Sequence, residues 1–391
     1  MRVFHALLPT TRRVHDDERP FPRGVHKGLP LRIAQVSPLY ESVPPQLYGG
    51  TERVVAYLTD ELVEQGHDVT LFASADSRTA AELIPICPQA LRLDERCVDP
   101  LAHHILMLER VMSEAHRFDI IHYHVDYLHF PVSRRQRVPN VSTLHGRLDL
   151  PDLVPIFREF DDMPVVSISN AQREPLPWID WQATVYHGLP LDLYELREGP
   201  GEYLAFLGRI SPEKRLDRAI EIAERVGMKL KVAAKVDKAD RDYFQQVIKP
   251  LLGSPNVEFV GEIGESEKNE FLGRATALLF PVDWPEPFGL VMIEAMACGT
   301  PVIAMNRGSV SEVMKHGGTG FVCETVDDAV AAVEKAQGLS RRACRAAFDK
   351  HFSASRMAAD YVRVYQSLID RASTNGKAAR VPAVKLALPP R

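Results

Sequence analysis

Short apolar runs and amphipathic helical stretches alternate along this chain, and near residue 200 the alternation begins again. The first run is Leu31-Arg32-Ile33-Ala34-Gln35-Val36-Ser37, followed by a Pro- and Gly-rich loop and a helix predicted over Glu52–Gln65. Val55, Leu58, Leu62 and Val63 form its apolar stripe. Further strands are predicted at Val69–Ala73, Ile120–His124, Val141–Leu144, Val165–Ile168 and Thr184–Tyr186, with helices at Leu101–Arg117 and Leu150–Phe160. After the break Leu196-Arg197-Glu198-Gly199-Pro200-Gly201, strands follow at Tyr203–Leu207, Leu230–Ala234, Val257–Val260, Leu278–Pro281 and Val302–Ala304. Helices are predicted between and after them at Glu213–Val226, Tyr243–Leu252, Glu265–Arg274, Leu290–Cys298 and Val326–Lys335. Alternating strands and helices call for a parallel sheet covered on both faces. Two such units in tandem place a cleft between the carboxyl ends of the two sheets. The fold class is α/β.

Length agrees with two units. At roughly 150 residues per domain, 391 residues make two to three domains. The expected division is a flexible arm over 1–30, a first doubly wound domain over 31–198 and a second over 199–352. A helix over 353–371 then returns to the first domain, and a disordered tail fills 372–391. Hydrophobic residues at 45% and charged residues at 25% exclude a disordered chain, and no apolar run reaches the roughly 18 residues of a membrane helix. The net charge of −5 argues against a protein that coats nucleic acid. Five scattered cysteines with no C-x-x-C pair give neither a disulfide framework nor a zinc site; they are read as reduced, buried thiols. The first 30 residues lack the apolar core and cleavage site of a secretion signal, so a cytoplasmic address is expected.

In such folds the loops after the strands carry the chemistry. Tyr48-Gly49-Gly50-Thr51-Glu52 enters the first helix; its glycines either admit an anion to the helix N-terminus or serve a tight turn. Neither domain's first loop has a G-x-G-x-x-G dinucleotide fingerprint. The second unit opens with Gly208-Arg209-Ile210-Ser211-Pro212-Glu213-Lys214, with Ser211 as the expected N-cap. Arg209 and Lys214 there are either a grip for a diphosphate or solvated surface charges. In Asp283-Trp284-Pro285-Glu286-Pro287-Phe288-Gly289-Leu290, Glu286 precedes a helix and Glu294 lies inside it among apolar residues. Buried carboxylates are costly without partners. These two either recognise hydroxyls, which they accept from without donating, or form structural salt bridges.

At these residues the chain resembles the family 4 retaining glycosyltransferases, whose fold is the two-lobed GT-B type: two Rossmann-like domains facing across a cleft. The matching pieces are Gly49-Gly50-Thr51-Glu52, Gly208-Arg209-x3-Glu213-Lys214, and Glu286-x7-Glu294. Thr143-Leu144-His145-Gly146 and Ser167-Ile168-Ser169-Asn170 also resemble its N-lobe motifs. The likeness spans residues 31–371 and leans toward the avilamycin-type glucosyltransferases. It implies that Arg209 and Lys214 bind the donor diphosphate, with help from Gly49 and Gly50. Glu286 would take sugar hydroxyls and Glu294 the ribose hydroxyls. Phe288, Gly289, Leu290 and Val291 would offer backbone N–H groups, and His145 would sit beside the reacting sugar. Two places depart from the pattern. Ala233-Ala234-Lys235 replaces a Gly-x-Gly turn, so Lys235 is expected to offer its charge to the donor, and His187-Gly188 replaces Asn-Gly.

The resemblance therefore implies transfer of a hexosyl group from a nucleotide-diphosphate sugar to an unidentified acceptor hydroxyl, with retention, by a front-side mechanism that needs neither cofactor nor metal. A UDP-sugar is expected ahead of a GDP-sugar, with no nucleic-acid partner. The segment Asp119–Phe130, with His122, His124, Asp126 and Tyr127, is a candidate acceptor reader. Two other readings stay open: a nucleotide-sugar epimerase on the same fold, and a non-catalytic sugar-nucleotide binding protein. His103, His104 and Arg110 raise a weak membrane-surface contact as well.

Overall fold

The structure is a computed structural model that describes residues 29–47 and 49–375. Seven strands form the first sheet: β1 (Arg32–Val36), β2 (Asp68–Ala73), β3 (Glu82–Pro85), β4 (Ile120–Tyr123), β5 (Asn140–Thr143), β6 (Val165–Ser167) and β7 (Trp181–Thr184). Their spatial order is β3-β2-β1-β4-β5-β6-β7. The second sheet has β8 (Tyr203–Arg209), β9 (Leu230–Lys235), β10 (Val257–Gly261), β11 (Ala275–Phe280), β12 (Val302–Met305) and β13 (Gly320–Cys323), in the order β10-β9-β8-β11-β12-β13. The pairings are parallel throughout, as between β1 and β4 or β8 and β11. In each sheet the order reverses beside the first strand, and such a switch point opens a crevice at the strands' carboxyl ends.

The main helices are α1 (Gly50–Glu64), α2 (Pro100–Glu114), α3 (Leu216–Val226), α4 (Glu265–Gly273), α5 (Leu290–Ala297), α6 (Val326–Gln337), α7 (Arg341–His351) and α8 (Ala354–Asn375). In α3, Leu216, Ala219, Ile220 and Ala223 are buried as their spacing predicts, and Gly227 closes the helix in the left-handed conformation. Helix α8 crosses back to the first lobe, where Met357, Tyr361 and Tyr365 share one core with Leu31, Ile33, Val54 and Leu58.

Several boundaries differ from the sequence reading. Strands β3 and β13 went unread because Glu82–Pro85 and Gly320–Cys323 each hold only four residues, with Pro in one and Gly in the other. The last N-lobe strand lies at Trp181–Thr184, upstream of the expected 184–186. Helix α3 starts at Leu216 instead of Glu213. Pro212–Lys214 is a tighter turn, Ser211 makes no cap bond, and Arg215 adopts a left-handed φ of 53°. The helix expected over 243–252 contains a π-turn at Phe244–Ile248, ahead of Pro250. Helix α8 continues to Asn375, so residues 372–375 are helical and not part of a tail. The rest of that tail, and residues 1–28 of the arm, lie outside the described residues. No helix among the described residues is long and apolar enough to cross a membrane.

Candidate active site

A cleft of about 740 Å³ lies where the two sheets' carboxyl ends face each other, within the usual size of a small-molecule site. All twelve residues singled out above line it: Gly49, Gly50 and His145 from the first lobe, and Arg209, Lys214, Lys235, Glu286, Phe288, Gly289, Leu290, Val291 and Glu294 from the second.

The loop between β11 and α5 is held from three sides. Gly289 starts α5 with φ 79°, and a Cβ there would stand 2.8 Å from Met292 Cε, so only glycine turns the chain here. The α5 N-terminus thereby opens its first N–H groups toward the cleft. Gly308 packs its Cα against the Glu286 backbone; a Cβ there would lie 2.4 Å from the Glu286 nitrogen and oxygen. Ser309 secures the same segment, its N–H donating to Glu286 O at 2.9 Å and its hydroxyl to Phe288 O at 2.9 Å.

Both carboxylates are buried, Glu286 at 7% exposure and Glu294 at 3%, and each has a lysine. Lys214 Nζ donates to Glu286 Oε2, which also accepts the Trp284 indole N–H at 2.7 Å. The Lys214 ammonium stands 5.1 Å from the Trp284 ring centre and 5.6 Å from that of Phe280, a cation over aromatic faces. Lys268 donates to Glu294 at 2.7 Å and lies 3.3 Å from Glu265, which also takes Arg53 of α1. The two sequence readings coexist: Glu286 and Glu294 are ion-paired, and both face the cleft.

Arg209 leaves the end of β8 among acids, bonded to Glu213 and lying 3.7 Å from Asp237 and 3.6 Å from Asp240. Lys235, ending β9, lies 3.3 Å from Asp237. Arg215 bonds Asp217 at 2.7 Å and reaches Asp283 of the β11–α5 loop at 3.0 Å. Ion pairs thus hold Arg209, Lys214 and Lys235 on the second lobe's wall of the cleft.

Imidazoles form the opposite wall. His145 Nε2 lies 2.9 Å from His124 Nδ1, and its ring stacks on His187 at 5.4 Å and 16°. His187 in turn meets the Phe288 ring edge at 4.8 Å. The unusual His187-Gly188 therefore bridges the lobes. Burial holds the His145 imidazole down to about 3 and the His122, His124 and His187 rings well below the ordinary range, so all four are neutral. Beside them Asp126, at a left-handed φ of 49°, accepts the His145 backbone N–H while burial pushes its carboxyl up to about 6. His104, by contrast, points inward, bonded to Leu39 N at 3.2 Å and Pro100 O at 2.7 Å, and forms no basic face with His103 and Arg110. The sequence reading gave no site role to Lys268, Glu265 or Glu52, although Glu52 stood in a quoted motif, because apolar periodicity does not show which charged residues a fold brings together.

Two family descriptions match the chain. "Glycosyl transferases group 1" covers residues 195–347 and "Glycosyltransferase Family 4" covers 48–178. The chain belongs to the group 1/family 4 glycosyltransferases. Among curated relatives of this glycosyltransferase, glycogen synthase of Mycobacterium tuberculosis is 28% identical over 92% of this chain and its own full length. Among solved structures, AviGT4, a glycosyltransferase of avilamycin A biosynthesis, superposes with a TM-score of 0.68 at 25% identity, covering 88% of this chain and 99% of its own. HepE of Anabaena, solved with UDP-glucose, has a TM-score of 0.67 at 18% identity, over 86% of this chain and all of its own. These folds are two-lobed like that of this glycosyltransferase.

Proposed function

We propose that this glycosyltransferase moves a hexosyl group from a nucleotide-diphosphate sugar to an acceptor hydroxyl, with retention, by a front-side and metal-independent route. The observation that carries the reading is the Lys214–Glu286 pair at the mouth of the α5 N-terminus, with Arg209 and Lys235 on the same wall. Carboxylates at Glu286 and Glu294 suit the donor's sugar and ribose hydroxyls. The cations and the α5 N–H groups suit its diphosphate.

In the proposed step the bond from the anomeric carbon to the leaving phosphate oxygen breaks, and its electron pair stays on that oxygen. The acceptor oxygen bonds the anomeric carbon on the same face and gives its proton to the departing phosphate. Arg209, Lys214 and the α5 N-terminus stabilise the negative charge that develops there. His145, held neutral, faces the sugar without adding a like charge to an oxocarbenium-like centre. Asp126, beside His145 on the acceptor-side wall, is placed to accept a hydrogen bond from the incoming hydroxyl.

HepE's bound UDP-glucose makes that compound the first donor to test. UDP release is measured from UDP-glucose with and without a panel of glycan, lipid-linked and aglycone acceptors, and the product anomer is read by NMR. An α-linked product formed in the presence of EDTA is the expected result. Inversion, or activity lost to EDTA and restored by a divalent ion, would overturn the corresponding part of the reading. Conversion of the donor with no acceptor present would favour an epimerase.

A further inference from the structure

Gln35 is a fully buried polar residue near the end of β1, between the buried apolar residues Ala34 and Val36. A buried amide needs partners for both its ends. Its Nε2 lies 3.1 Å from Tyr365 Oη of α8, and its Oε1 lies 2.8 Å from His124 Nε2. His124 Nδ1 then meets His145 Nε2 at 2.9 Å. The same Tyr365 hydroxyl lies 2.7 Å from His122 Nδ1, and His122 Nε2 lies 2.7 Å from Thr143 Oγ1, itself 2.8 Å from Tyr361 Oη. One continuous hydrogen-bonded chain therefore runs from the C-terminal helix through β1 and the ends of β4 and β5 to the cleft.

Proton counting gives this chain a direction. Tyr365 has one hydroxyl proton. It accepts from the Gln35 amide nitrogen and donates to His122 Nδ1. The Gln35 carbonyl only accepts, so the proton of the His124 ring sits on Nε2. A neutral ring carries one such proton, which leaves His124 Nδ1 as an acceptor and makes His145 Nε2 the donor to it. Reverse wiring would require every member to turn at once, starting with the Gln35 amide.

We propose that Gln35, His124 and Tyr365 are positioning residues that hold His145 in one neutral tautomer, with its proton on Nε2, so that Nδ1 is left as a hydrogen-bond acceptor for a sugar hydroxyl in the cleft. This rests on the reading of His145 as a neighbour of the donor sugar. It also gives α8 a function beyond packing: its tyrosine hydroxyl sets the polarity of the wire that ends at the candidate reaction centre.

The test is imidazole nitrogen NMR on the full chain labelled with 15N-histidine, with His145→Asn used for assignment. Wild-type protein is expected to show both His124 and His145 as Nε2–H tautomers. Gln35→Glu, whose carboxylate can only accept from His124, is expected to keep that pattern. Gln35→Leu and Tyr365→Phe remove the lock, and His145 is expected to populate both tautomers. Fold retention is read from His129, which is bonded to Ser133 and Ser142 away from the chain. A wild-type His145 protonated on Nδ1 would overturn the proposal, as would tautomer populations unchanged in a folded Gln35→Leu protein. Should Gln35→Leu fail to fold, the wild-type and Gln35→Glu spectra decide. The underlying reading is tested separately. His145→Asn is expected to weaken UDP-glucose binding relative to UDP by about tenfold, the loss of one good hydrogen bond. An unchanged ratio would remove the donor contact while the tautomer assignment stands.

Discussion

The carboxylate of Glu312 in the second lobe accepts the backbone N–H of Asn170 in the first, at 2.8 Å. Three more donors converge on it: Asn170 Nδ2 at 2.9 Å, the Ala171 N–H at 2.7 Å and the Tyr186 hydroxyl at 2.9 Å. Glu312 lies three residues after Ser309, which is bonded to the backbone of Glu286 and Phe288. The segment 309–312 thus joins the lobe-to-lobe contact to the β11–α5 loop.

Glu312→Ala is expected to lower the melting temperature by about 3 °C or more, from loss of about 1–2 kcal/mol of charge-assisted hydrogen bonding at a half-exposed site. Scanning calorimetry measures this directly. An unchanged transition would show that water replaces the contact without cost.

Asn170 illustrates how far the sequence alone reaches. The Ser167-Ile168-Ser169-Asn170 motif was legible as a family resemblance, but its partner, 142 residues away, was not. Periodicity located most strands and helices, because burial of one face repeats every two or 3.6 residues. It could not pair Lys268 with Glu294, since charge partners across a fold leave no local pattern. The same limit hid the Gln35–His124–His145 chain, where one residue from each of three non-adjacent segments meets only after β1, β4 and β5 align. Gly289 and Gly308 differ in this respect: the first stood at a readable helix start, whereas the need for the second comes from Glu286, which chain order does not place beside it.

Lys214→Ala is expected to reduce kcat/KM for UDP release from UDP-glucose about 100-fold, on the scale of losing one stabiliser of transition-state charge. Among the described residues, the same change leaves the buried Glu286 carboxylate with the Trp284 N–H as its remaining side-chain partner. Near-normal turnover in a folded Lys214→Ala protein would count against the diphosphate assignment.

Glu294→Gln tests ribose recognition. An ionised carboxylate accepts from both ribose hydroxyls, so the wild-type protein is expected to favour UDP over 2′-deoxy-UDP by about tenfold. The amide, with one accepting oxygen, is expected to narrow that preference to about threefold or less. Titration calorimetry with both nucleotides measures the ratio, and a preference equal in both proteins would place the ribose elsewhere.

Glu52, on the first turn of α1, is 5% exposed, and burial raises its carboxyl to about 7. The nearby Glu41 pushes in the same direction, while its own backbone N–H and Arg92 oppose it. A carboxyl whose folded-state value lies above the unfolded value of about 4.3 binds its proton more tightly when folded. Its contribution to stability is therefore fully present below about pH 4.3, shrinks as the pH rises, and is gone above about 7. Glu52→Gln stays neutral throughout. Urea unfolding of both proteins at pH 4, 5, 6, 7 and 8 is expected to show near-equal stability at pH 4 and an advantage for Glu52→Gln that grows with pH to about 3 kcal/mol at pH 8. Curves that stay parallel across that window would mean that Glu52 titrates in the ordinary carboxylate range, with its charge solvated in the cleft.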